Sequence, residues 1–129
     1  MNLTIRDATA SDVPFLVATW RKAVMYSSPT FEHIPHEVVY EKYTPVIKSI
    51  LAKASVRILC MTSEPNIVLG YAVLEDAKLH FVYIKKAWRN QGFANLLINT
   101  TPIKTITHLT KPGLALAKKR GWTFDPFQI

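Results

Sequence analysis

No stretch constrains the fold of this chain more than Leu79 to Ile98. Its first six residues, Leu79-His80-Phe81-Val82-Tyr83-Ile84, are largely apolar, β-branched or aromatic, the composition of a strand. A polar passage with Gly92 follows, and Phe93-Ala94-Asn95-Leu96-Leu97-Ile98 then has the apolar spacing of a helix. The reading is strand, tight turn, helix. A helix that opens just past a tight turn leaves its first N–H groups without internal acceptors, and its dipole points positive at the same place. An anion, above all a phosphate, suits such a position. Gly92 lets a ligand approach the backbone, Ala94 keeps the helix start uncrowded, and Lys85, Lys86 and Arg89 add charge at the entrance.

The 129 residues are about one domain's worth, and 49% apolar with 19% charged residues describes a globular chain with a real core. We therefore expect a single domain over residues 1–129. No apolar run approaches the ~20 residues needed to cross a bilayer, and Met1-Asn2-Leu3-Thr4-Ile5-Arg6 lacks the basic-then-apolar order of a signal peptide. The expectation is a cytoplasmic protein with no membrane partner. Cys60, the one cysteine, lies within Ile58-Leu59-Cys60-Met61 and reads as a buried, inert thiol. The net charge of +7 is lopsided. Residues 1–77 hold seven Lys/Arg against eight Asp/Glu, whereas residues 78–129 hold nine against one. The basic half is the half with the glycine turn. That distribution suits a polyanionic ligand, and by charge alone it also suits nucleic acid, although no nucleic-acid-binding signature accompanies it.

Along the chain, Leu3-Thr4-Ile5-Arg6 alternates as a short strand. Thr9, Asp12 and Pro14 mark a helix start, and Leu16, Trp20, Ala23 and Val24 carry that helix from about Ser11 to about Met25, with Ser27-Ser28-Pro29 ending it. Val39, Tyr43, Val46, Ile47, Ile50, Leu51 and Ala54 form a second helical stripe. Pro45 interrupts it, so two pieces are expected, with Thr44 capping the second. Val56–Thr62 and Ile67–Glu75 read as an antiparallel hairpin around Ser63-Glu64-Pro65-Asn66, with Gly70 marking a bulge or a close backbone approach. Asp76-Ala77-Lys78 turns the chain into the strand before the glycine turn. Pro102 shortens the helix after that turn to about two turns. Thr105–Thr110 reads as a strand, Leu114–Gly121 as a helix with a basic last turn and a C′ glycine, and Trp122–Ile129 as a closing strand. The expected order is β-α-α-β-β-β-α-β-α-β, an α/β fold with a mixed, mostly antiparallel sheet of about six strands and helices on both faces.

Arg89-Asn90-Gln91-Gly92-Phe93-Ala94, in this strand-to-helix context, resembles the (Gln/Arg)-x-x-Gly-x-(Gly/Ala) loop of the GNAT superfamily of acyl-CoA N-acyltransferases. The resemblance implies that Arg89, Asn90, Gln91, Gly92, Phe93 and Ala94 hold the coenzyme A pyrophosphate. It also implies that Phe81-Val82-Tyr83-Ile84 is a fourth strand that splays from the fifth, with Val82, Tyr83 and Ile84 along the pantetheine arm. Acetyl-CoA would be the acyl donor and an unidentified amine the acceptor, with a homodimer left open. The family's second half fits less well: aligning Gly121-Trp122 with its Gly-Phe pair puts Ala117 where a tyrosine protonates the leaving thiolate. Two catalytic candidates follow. His80 has the pKa range of a general base at a place where many family members carry a glutamate, and alternation puts it with Val82 and Ile84, with Phe81 and Tyr83 opposite. Tyr83 is a substitute acid if its face lines the thioester. Glu75 and Asp76 are further candidates as base, and Trp20, Arg21, Tyr26, Phe31, His33, His36 and Tyr40 are candidates for the acceptor wall. His33 and His36 have no companion cluster for a metal, so none is expected. The worn second half leaves two alternatives to an enzyme: a CoA-binding scaffold without catalysis, and a basic nucleic-acid-binding protein on the same fold.

Overall fold

In a computed structural model, which describes residues 2–27, 31–108 and 110–129, the chain builds one six-stranded sheet in sequential order. The elements are β1 (Leu3–Asp7), α1 (Val13–Ser27), α2 (His36–Leu51), β2 (Ser55–Met61), β3 (Val68–Glu75), β4 (Lys78–Ile84), α3 (Phe93–Ile98), β5 (Thr105–Ile106), α4 (Lys111–Arg120) and β6 (Thr123–Phe124). Strands β1 to β4 form an antiparallel meander, and β4–β5 and β5–β6 are parallel. The mixed sheet and the element order agree with the sequence reading. Residues Ser28 and Pro29, expected to end α1, lie outside the described residues.

The sheet buries both faces. On one, Leu16, Trp20 and Val24 of α1 and Ile47 and Ile50 of α2 pack over Ile58, Tyr71, Val73 and Phe81. On the other, Leu97 and Ile98 of α3 cover Leu59, Leu69, Ala72 and Leu79. β3 is consequently buried along nearly its whole length, and its continuous apolar run follows from being covered on two sides. Before α1, Arg6 donates twice to the Asp12 carboxylate (2.8 and 2.9 Å), which also accepts from the Thr9 backbone N–H (2.7 Å). This pair pins the helix start to β1 and holds the Asp12 carboxyl down to about 2, chiefly through the Arg6 hydrogen bonds.

Three expectations are corrected. α2 is one helix through Pro45, not two. Pro45 is exposed, while Val39, Ile47 and Ile50 are buried along one continuous stripe; packing outweighs the lost hydrogen bond. Thr44 caps nothing; its hydroxyl donates to the Tyr40 carbonyl one turn back (2.6 Å). β5 and β6 are each only two residues long, far shorter than Thr105–Thr110 and Trp122–Ile129. α4 starts earlier than Leu114, because the Thr110 hydroxyl accepts from the Gly113 N–H (3.2 Å) and caps the helix there.

Gly70 meets both descriptions given to it. The β2–β3 register slips beside it, and a Cβ at Gly70 would stand 2.6 Å from both Ile84 Cδ1 and the Tyr83 carbonyl oxygen. β4 lies against β3 at that point more closely than any side chain would allow.

Candidate functional site

β4 and β5 pair only at Lys78–Thr105 and Leu79–Ile106 and part beyond that point. The backbone of β4 past Leu79 therefore has a partner on one edge only. The Lys85 N–H donates to the Leu69 carbonyl of β3 (2.8 Å), and the Tyr83 carbonyl also faces β3, at Gly70. By alternation the N–H and C=O groups of Val82 and Ile84 face the gap. The Ile84 carbonyl there accepts from Arg89 Nε (2.7 Å), which ties the following loop across the strand end.

A cavity of about 830 Å³ occupies this gap and continues past β4 on both sides of the sheet. At one end are Val82, Ile84, Trp88, Arg89, Asn90, Gly92, Phe93, Ala94 and Asn95. Gly92 has φ 83° and Asn90 φ 62°, and a Cβ at Gly92 would meet nothing within 4 Å. No side chain caps α3, and the first N–H to find a helical acceptor is that of Leu96, on the Gly92 carbonyl (3.1 Å). The preceding N–H groups of the turn are left for a ligand. At the other end are Thr19, Lys22, Ala23 and Tyr26 of α1 together with Phe81 and Tyr83, and Thr110, Ala115 and Leu116 wall the side.

Of the catalytic pair His80 and Tyr83 and the coenzyme A candidates Val82, Ile84 and Arg89–Ala94, all line this cavity except His80 and Gln91. Gln91 turns back and its side chain donates weakly to the Ala87 carbonyl (3.5 Å). His80 is fully buried elsewhere. The alternation that placed it with Val82 and Ile84 fails, because the β3–β4 register slips between Val73 and Leu74, so that Leu79, Val82 and Ile84 share one core and Phe81 and Tyr83 the other. His80 is the residue left over at the slip.

Its ring instead joins a buried chain. His80 Nε2 lies 2.9 Å from Glu75 Oε1, His80 Nδ1 2.7 Å from Thr107 Oγ1, and Thr107 Oγ1 2.9 Å from His108 Nδ1. With Glu75 ionised and both rings neutral, the directions are determined. His80 Nε2–H donates to Glu75, the Thr107 hydroxyl donates to His80 Nδ1, and His108 Nδ1–H donates to Thr107. Burial pushes both imidazoles below their ordinary value, His108 to about 3, with the proximity of His80 adding to the effect. The Glu75 carboxyl is lowered, first by its bond from His80. This chain ties the segment after β5 to β3 and β4, and neither imidazole lines the cavity.

The other expected residues scatter. Trp20 is wholly buried, stacked on Phe81 (5.2 Å between centroids). The Arg21 guanidinium lies over the Tyr40 ring (4.4 Å), Phe31 packs on Tyr43, and His33 is an exposed neighbour of Glu32. His36 packs on the Tyr26 ring, and of this group only Tyr26 lines the cavity. Ala117 is buried and faces the core; the α4 side chains at the cavity are Ala115 and Leu116. Thr19, Lys22, Asn95 and Thr110 also line it, unforeseen. Thr19, Lys22 and Ala23 could have been found together with Tyr26, as the second stripe of α1 beside its core stripe Leu16, Trp20 and Val24.

A mixed sheet that opens between β4 and β5 over a glycine turn, with helices on both faces, is the fold of the GNAT acyltransferases. The same architecture is found in YjaB from Escherichia coli, an apo-form structure that is 18% identical, with 92% of this chain and 81% of that one covered and a TM-score of 0.65. A predicted acetyltransferase from Clostridium acetobutylicum, solved with acetyl-CoA, is 18% identical over 99% of this chain and 94% of that one, with a TM-score of 0.62. A GCN5-related N-acetyltransferase from Rhodopseudomonas palustris is 14% identical over 97% and 73%, with a TM-score of 0.57. No protein-family sequence model and no curated protein sequence matches the chain. No described helix is long and apolar enough to cross a membrane, and the described residues include no cluster of metal-ligating side chains.

Proposed function

We propose that this protein is an acyl-CoA-dependent N-acyltransferase, transferring an acetyl group from acetyl-CoA to a primary amine by direct attack. The observation that carries the reading is the continuous cavity joining the uncapped Gly92 turn, through the unpaired edge of β4, to α1. The residues fit the donor. Free N–H groups and Arg89 meet the pyrophosphate at the turn, and the backbone of Val82 and Ile84 meets the pantetheine amides. When bound, acetyl-CoA supplies an activated thioester carbonyl.

The amine nitrogen attacks that carbon, the C–N bond forms as the C–S bond breaks, and the proton lost from nitrogen balances the one gained by sulfur. A backbone N–H on the open edge of β4 stabilises the developing oxyanion. Tyr83, which lines the cavity and has no hydrogen-bond partner for its hydroxyl among the described residues, supplies a proton toward the thiolate. Among the described residues no imidazole or carboxylate lines the cavity, so the amine arrives neutral and kcat/KM rises with pH toward the acceptor's own pKa. That same lack of a base favours one other reading, a CoA-binding scaffold without turnover.

Calorimetry with acetyl-CoA, paired with a thiol-release assay on a panel of amines, separates the readings. Binding that Gly92→Asp abolishes, together with turnover, supports the enzyme. Binding without turnover supports the scaffold, and no binding at millimolar acetyl-CoA overturns both. Tyr83→Phe should lower kcat by roughly 10²-fold or more.

A further inference from the structure

Resting on the acyltransferase reading, we propose that the acceptor is a small anionic amine, one bearing a carboxylate, sulfonate or phosphate in the same molecule, and that Lys22 selects it. The α1 end of the cavity is the part left once the donor occupies the Gly92 turn and the β4 edge. Its polar side chains are Thr19, Lys22, Tyr26 and Tyr83, with Thr110 on the side wall. Lys22 can only donate, none is acidic, and the Thr19 hydroxyl already donates to the Phe15 carbonyl (2.8 Å). The residues outside the described part, Met1, Ser28, Pro29, Thr30 and Leu109, contribute no acid either.

Lys22 makes no ion pair with a carboxylate among the described residues. It stands on the face of α1 that carries Thr19 and Tyr26, one turn to either side. Lys22 is exposed and borders whatever fills this end. A polyamine, an aminoglycoside or a lysine-rich peptide would bring a second ammonium to a compartment with no carboxylate to receive it, against Lys22. An anionic amine brings the missing partner. Pairing also serves the chemistry: a carboxylate beside an amine holds the proton on it, and Lys22 offsets that field, which favours the neutral nucleophile a site without a base requires.

The test measures free-thiol release at saturating acetyl-CoA for matched pairs: glutamate against its diamide, taurine and 2-aminoethyl phosphate against ethanolamine, with spermidine and an aminoglycoside as polycations. The expected result is a kcat/KM at least tenfold higher for the anionic member of a pair, and the three head groups show which anion is preferred. K22E should erase or invert that ratio and K22R should retain it. Equal or better turnover of spermidine, or an anionic-to-neutral ratio unmoved in K22E, overturns the charge rule and leaves the acyltransferase reading standing. Acetyl-CoA binding with no turnover of any amine overturns that reading and this inference with it.

Discussion

The part of the chain up to Ile84 and the part after Ile98 are built by different means. The first has strands of five, seven, eight and seven residues, laddered edge to edge and covered by Leu16, Trp20, Ile47 and Ile50. The second has two strands of two residues each, the last of them exposed, and a basic helix. What holds the second part to the first is a short β4–β5 backbone ladder, a few buried side chains, Ile106 and Ala117 among them, and the polar chain from Glu75 through His80 and Thr107 to His108. The cavity lies on the seam between the two. A rigid wall and a loosely tethered one suit a site whose ligand enters between them, and the tethered side belongs to the low-stability end of the molecule.

Four measurements test that division, the largest effect first. Ile58→Ala, at a fully buried position in the laddered part, should cost about 2–5 kcal/mol in denaturant unfolding and melt both parts together. Acidification should separate them. His80 and His108 bind protons less tightly folded than unfolded, so stability is full above pH 6.5 and falls as pH drops from there toward about 3, by on the order of a few kcal/mol. The Arg6–Asp12 pair of the first part keeps its contribution until pH falls below 3.8 toward about 2. Amide exchange followed against pH should therefore show Thr107 and the residues of α4 losing protection before those of β1 and β2; simultaneous loss would refute a separate seam.

Third, Ala117→Tyr should destabilise by roughly 1–3 kcal/mol through overpacking and leave turnover no faster, because position 117 faces the core. A phenol at the cavity requires Leu116→Tyr, and a gain in kcat from Ala117→Tyr would contradict this placement of α4. Smallest of all, Phe127→Ala, at a side chain 91% exposed, should shift stability by no more than about 0.5 kcal/mol.

The same division explains what was legible. Long apolar runs such as Val68–Glu75 and the stripe of α2 announce themselves, because their burial repeats over many residues. The Arg89–Ala94 turn was legible because a φ above zero at Gly92 demands a particular residue. β5 and β6 were overdrawn, since two hydrogen-bonded residues leave no period to read. Pro45 misled because its cost is local and the stripe it interrupts is long. His80 was put on the wrong face because the slip at Val73–Leu74 is a property of strand pairing that no single strand displays. Lys22 went unnoticed because one lysine on a helix looks like solvent-facing charge until the sheet opens beside it.

Gly70 gives the cavity an adjustment point outside its own lining. The residue lies behind β4, across from Tyr83 and Ile84, and it lets that strand settle inward by the width of a missing methyl group. The gauge of the passage is thus set on the far side of its own wall. The width of this passage is open to variation through a change in β3 alone, with every lining residue left as it is.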